Sequence, residues 1–129
     1  MAKFLLIQNY EGGVCSEPMG TWDPADVRTH IEFQQALNDE LAASGELVDA
    51  QGVAAPEQAK RVTSDGGGAP VVRTGPFPES SPLLAGYRIV DVDSEARALQ
   101  IAARTSAAPG PAGVPLQQPI EVRQVMVAP

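Results

Sequence analysis

"WDPADVRTHIEFQQALNDELAASGELVDAQG", residues 22–52, contains a start signal, a long periodic run and a stop signal. Asp23 can accept the first free amide hydrogens of a helix. Pro24 suits the first helical position, and Asp26 puts a carboxylate near the positive helix end. Apolar residues then recur at helical spacing until about Ser44. There Gly45 supplies the residue most at ease in the left-handed conformation that ends a helix. "ELVDAQGVA", residues 46–54, follows at once as an extended run. Since "KFLLIQN", residues 3–9, is a short apolar run read as a buried strand, the first half of the chain is strand, helix, strand.

"APEQA" gives one helical turn or a tight loop. "KRVTS" and "PVVRT" flank "DGGGA", residues 65–69, as a hairpin with a long glycine turn. "GYRIVDVD", residues 86–93, alternates as a strand should. "SEARALQIAARTSA", residues 94–107, has a capping serine and helical spacing. After the loop "APGPAGVPLQQP", "IEVRQVMVA", residues 120–128, closes the chain as a strand. The order predicts an α+β fold: a ferredoxin-like split βαβ sheet with two helices on one face and an extra β-hairpin arm, in a single domain over 1–129. The face without helices carries apolar residues from "KFLLI", "YRIV" and "VRQVMV", so pairing with a second copy, a homodimer, is expected.

The chain has 129 residues and a 43% hydrophobic fraction, enough for one core. Its net charge is −7 and its nine Lys and Arg are scattered, which argues against a nucleic-acid partner. No apolar run approaches the roughly 20 residues that span a bilayer, so no membrane partner is expected. "MAKFLLIQNYEGG" lacks a signal-peptide pattern, and the single Cys15 cannot close an internal disulfide; a cytoplasmic location is the expectation. One His and one Cys without ligand-spaced carboxylates leave too few groups for a metal, and no cofactor is expected. The glycines of "DGGGA" are not followed by Lys-Ser/Thr, which argues against a phosphate loop.

The only histidine, His30, falls on the apolar arc of the helix with Val27, Ile31, Phe33, Leu37 and Leu41. Gln34, one turn on, is the other polar residue directed inward. A structural histidine satisfied by the backbone or a carboxylate is one reading. The other is a general acid or base in a pocket between helix and sheet, which needs an orienting partner. Asp49 is the first candidate because its strand follows the helix directly; Asp91 and Asp93 come after it. Trp22 is read as the residue that packs at helix entry, with shielding of the pocket as the alternative.

With "GPFPES" after "ASGELVDAQGVAAPEQA" and before "LAGYRIVDVDSEARAL", the chain resembles the YCII-related family, in its DGPF subgroup, over nearly its whole length. The resemblance implies a dimeric α+β barrel and a His–Asp pairing in a pocket, which here corresponds to His30 and Asp49 as catalytic residues. Gln34, Phe77 and Tyr87 would then contact an unknown small molecule in proton-transfer or hydrolytic chemistry. A non-catalytic ligand-binding or regulatory module is the alternative. Thr74 stands where the subgroup has Asp, and a turn-capping role would tolerate that exchange.

Overall fold

The computed structural model describes residues 1–9, 13–15, 17–77 and 84–127. Strand β1 (Ala2–Asn9) runs antiparallel to two neighbours, β5 (Leu84–Val92) and β6 (Ile120–Gln124), and β2 (Leu47–Gly52) pairs antiparallel with the far side of β5. The order is β2-β5-β1-β6. Because β5 opposes both, β1 and β2 point the same way. Helix α1 (Pro24–Ala43) connects them, and α2 (Glu95–Ser106) connects β5 to β6. This is the split βαβ arrangement, with an α+β sheet of antiparallel pairs. Strands β3 (Lys60–Thr63) and β4 (Val71–Thr74) pair only with each other, forming the separate arm.

The helix ends follow from the local residues. Asp23 Oδ1 accepts from the Ala25 amide at 2.9 Å, and Gly45 closes the helix with φ +79°. Ser94 Oγ accepts from the Arg97 amide at 3.2 Å and starts α2. In the hairpin turn, Asp65 Oδ1 accepts from the amides of Gly67 and Gly68, and these bonds hold its carboxyl below the usual range. Those two glycine amides are therefore already bonded.

The core lies between the helices and one sheet face. Phe4 and Leu6 of β1, Val90 and Val92 of β5, Leu37 and Leu41 of α1, and Ala98, Ile101 and Ala102 of α2 fill it. Each of the larger side chains contributes about 1.5–3 kcal/mol by leaving water.

Three expectations change. The last strand stops at Gln124 rather than running to 128. β1 begins at Ala2 and, after the Val125 amide bonds to Lys3 O, little partner backbone remains; Met126 and Val127 are 92% and 85% exposed. "VRQVMV" therefore adds less to the open sheet face than expected, since Val122 packs on the core while Glu121 and Arg123 point outward. Half-buried Leu5, Ile7 and Ile89 form the apolar part of that face. Ile31, placed on the apolar arc by its spacing, is 45% exposed. Thr74 is a strand residue opposite Lys60, and its hydroxyl makes no hydrogen bond among the described residues, so it does not cap the turn.

Candidate functional site

Under the N-terminal half of α1 the layer between helix and sheet opens into a cavity of about 590 Å³. That volume suits a small organic molecule. Its walls come from α1, from β1, β2 and β5, and from two loops, residues 13–15 with 17–22, and 108–118. The loops are joined by the Val14 amide, which donates to Leu116 O at 2.9 Å. Gly13 makes this possible: its φ is +81°, and a Cβ there would lie 2.5 Å from Leu116 O.

His30 is 8% exposed and borders the cavity. Its Nδ1 lies 3.0 Å from Pro109 O, and a carbonyl can only accept, so Nδ1 carries the hydrogen. Nε2 is then left with its lone pair, facing Gln34 Nε2 at 3.4 Å. The orientation of that amide is set from its other end, where Gln34 Oε1 accepts from Arg88 Nη2 at 2.5 Å. Guanidinium, amide and imidazole thus form a directed chain that ends at the backbone of the 108–118 loop. Trp22 meets the imidazole edge to face, with ring centroids 5.7 Å apart and planes at 84°, and its Nε1 donates to Glu17 O at 3.1 Å. The tryptophan is a wall of the cavity, the alternative reading of its position.

Arg88 is 3% exposed. Nε donates to Asn38 Oδ1 at 2.8 Å, Nη1 to Thr105 Oγ1 at 3.3 Å, and Nη2 also reaches Gln34 O at 3.3 Å. All of these acceptors are neutral. Burial pushes the guanidinium pKa down to about 10, and no carboxylate opposes the shift. Arg88 and Asn38 were not singled out from the sequence, although signals existed. Arg88 shares strand parity with buried Val90 and Val92, and Asn38 continues the His30, Gln34 stripe at four-residue steps.

The YCII-related domain model matches residues 3–115, from β1 through α2 and most of the second loop. The chain belongs to the YCII-related family. No curated protein matches it. In this YCII-related protein the matched segment stops one residue before Leu116, so Leu116 and Gln118, which border the cavity, lie beyond it. No helix among the described residues is long and apolar enough to cross a membrane. Among the same residues no group of three or more His, Cys, Asp or Glu is placed to hold a metal ion.

The expected site residues separate into three groups. His30 and Gln34 are together in the cavity wall. Asp49 does not hydrogen-bond to His30: its Oδ2 accepts from Tyr87 Oη at 2.8 Å, and its Oδ1 accepts from Gln51 Nε2 and the Ala50 amide. The cause is a bulge in β2. Leu47 is opposite Val90 on the helix side, but the register slips before Asp49, which stands opposite Ile89 on the other face. Strict alternation would have put Asp49 on Leu47's face. Tyr87 shares the outer face; its strand position borders the cavity while its hydroxyl serves Asp49. That bond holds the Asp49 carboxyl below its usual range and pushes the Tyr87 phenol up. Phe77 does not border the cavity. It is buried beside the hairpin arm, with the Arg61 guanidinium 4.1 Å and the Arg73 guanidinium 6.0 Å from its ring centroid. Gly75 allows that path, since a Cβ there would lie 2.7 Å from Pro56 O. The rest of "GPFPES", residues 78–80, lies outside the described residues.

Proposed function

We propose that this YCII-related protein binds a small organic molecule in the cavity under α1 and that His30 Nε2 takes a proton from it, in proton-transfer or hydrolytic chemistry. One observation carries the reading. Hydrogen bonds from both sides define the imidazole as its Nδ1–H tautomer, and the basic nitrogen lies beside a cavity of ligand size, held only by the long 3.4 Å contact from the Gln34 amide, which gives way when Nε2 takes a proton. A backbone carbonyl, Pro109 O, takes the orienting role expected of Asp49. Asp49 enters this reading through Tyr87, as a support of the strand that borders the cavity. Membership of the DGPF subgroup is supported by Gly75-Pro76-Phe77 at its place before β5, and a cytoplasmic location by the single free cysteine. The row of Leu5, Ile7 and Ile89 supports a homodimer across the open sheet face, burying on the order of 1,200 Å² or more. A strictly monomeric sedimentation profile at micromolar concentration counts against that dimer.

The test is turnover. A compound that stabilises the wild-type protein thermally is assayed for chemical change, and His30→Ala is assayed beside it with its fold checked by circular dichroism. General-base removal is expected to slow turnover by about 10²–10⁴-fold; a folded His30→Ala protein that keeps its rate discards the role. The absence of a hydrogen-bonded carboxylate on His30 favours one rival, a non-catalytic ligand-binding or regulatory module. Binding without conversion of any hit selects that rival.

A further inference from the structure

Arg88 is a cation among neutral partners in the buried wall of the cavity. A guanidinium has five N–H groups. Four are engaged by Asn38, Thr105 and the two oxygens of Gln34, and the second N–H of Nη1 has no acceptor among the described residues. Holding a charge away from water is unfavourable unless a charge of opposite sign meets it. Among the described residues none is supplied inside: Glu17 is the one carboxylate of theirs that borders the cavity, and it lies exposed on the outer loop. Arg88 is also the single Lys or Arg that the described residues place in those walls. The rest of the lining near the loops is largely apolar, including Met19, Trp22, Ile31 and Leu116.

We propose that the ligand of this cavity is a small organic mono-anion, a carboxylate with an apolar body, whose carboxylate sits against Arg88 while its body lies along Trp22, Ile31 and Leu116. One carboxylate oxygen would accept from the second N–H of Nη1, which no described residue takes, and the opposite charges strengthen that bond. A dianion such as a phosphate monoester would bring a second negative charge into walls where the described residues hold no second cation. The assignment rests on the cavity being a ligand site, as the proposed function requires. It goes beyond that reading by fixing the chemical class of what enters.

Three probes that share a phenyl body test it: phenylacetate, phenylacetamide and phenylphosphonate, titrated at neutral pH into isotope-labelled wild-type protein. The signals followed are Arg88 Nε–H, the Gln34 side-chain amide and the His30 ring. Phenylacetate is expected to shift them saturably and to bind at least about tenfold tighter than the amide, as charge-assisted pairing should. In Arg88→Met the preference should fall to within about twofold, because only the apolar contacts remain; if that variant does not fold, the wild-type titration decides alone. Equal binding of phenylacetamide overturns the anion and leaves the ligand cavity standing. Tighter binding of phenylphosphonate overturns the carboxylate. No shift of any of the three signals with any probe overturns the cavity reading as well.

Discussion

The two halves of the layer between helices and sheet are built on the same strand face and end in opposite environments. Toward α2, Val90 and Val92 of β5 meet Ala98, Ile101 and Ala102, with Phe4 and Leu6 beside them, and the space is filled. Toward the N-terminal half of α1, the same inner face of β5 continues as Arg88 and then Gly86. A guanidinium and a residue without a side chain replace the apolar pair, and the layer opens. Shape is held by the half that obeys the apolar alternation, and chemistry gathers where the alternation is broken while burial is kept. The largest effect should therefore come from the filled half. Ile101→Ala, at a position with 0% exposure, is expected to cost about 2–5 kcal/mol in urea unfolding. A loss under about 1 kcal/mol would mean that this half is as open as the other.

The filled half was legible because periodicity and packing agree there. The α1 caps at Asp23 and Gly45, the α2 cap at Ser94 and the alternation of "GYRIVDVD" each rest on a few adjacent residues, and each stands where the sequence puts it. The split βαβ order follows from them. The open half depended on features without a local signature. A single-residue slip between Leu47 and Asp49 decides which face receives the carboxylate, and nothing in "ELVDAQG" marks it. Pro109 O reaches His30 from a residue 79 positions away. Arg88 could have been found by asking which polar residue shares parity with Val90 and Val92. It reaches His30 only through Gln34, a link that no local pattern in the sequence marks.

A second contrast sets Arg88 against Arg97. Arg97 Nε and Nη2 grip the two oxygens of Glu46 at 2.8 and 2.9 Å, and Ser44 Oγ donates to the same carboxylate at 2.8 Å. These bonds, the Arg97 one first, bring the Glu46 carboxyl down from 4.5 to about 2. A carboxylate with a depressed folded value stabilises above its unfolded value and loses that contribution as pH falls through the folded one. The contribution should thus be whole at pH 7 and fade from about pH 5 down to about 2. Arg97 keeps 34% of its side chain in water, so screening limits the pair to about 1 kcal/mol. Glu46→Gln is expected to lower unfolding stability by that amount at pH 7 and to converge with wild type near pH 2. A gap that stays constant across the range would mean the pair contributes through packing and not through charge.

The smallest effect is expected where burial alone suggests the largest, at Arg88. Removing one partner of a buried ion pair costs about 3–5 kcal/mol, because the other charge is left stranded. Arg88→Met strands no charge, since every acceptor of Arg88 is neutral. It does free Asn38 Oδ1 and Gln34 Oε1, and an unsatisfied buried acceptor costs about 1–3 kcal/mol. Both residues border the cavity, where water can take the place of the guanidinium and offset much of that loss. The opposing term has a definite sign. A cation whose folded pKa is brought down to about 10 disfavours the folded state at every lower pH, so its removal returns stability at pH 7. With methionine filling much of the vacated stem volume, the two terms should leave ligand-free Arg88→Met within about 1 kcal/mol of wild type in urea unfolding at pH 7. A loss above about 3 kcal/mol would make Arg88 a support of the fold, comparable to Ile101 on the other side of the sheet face, and would erase the distinction between the two halves.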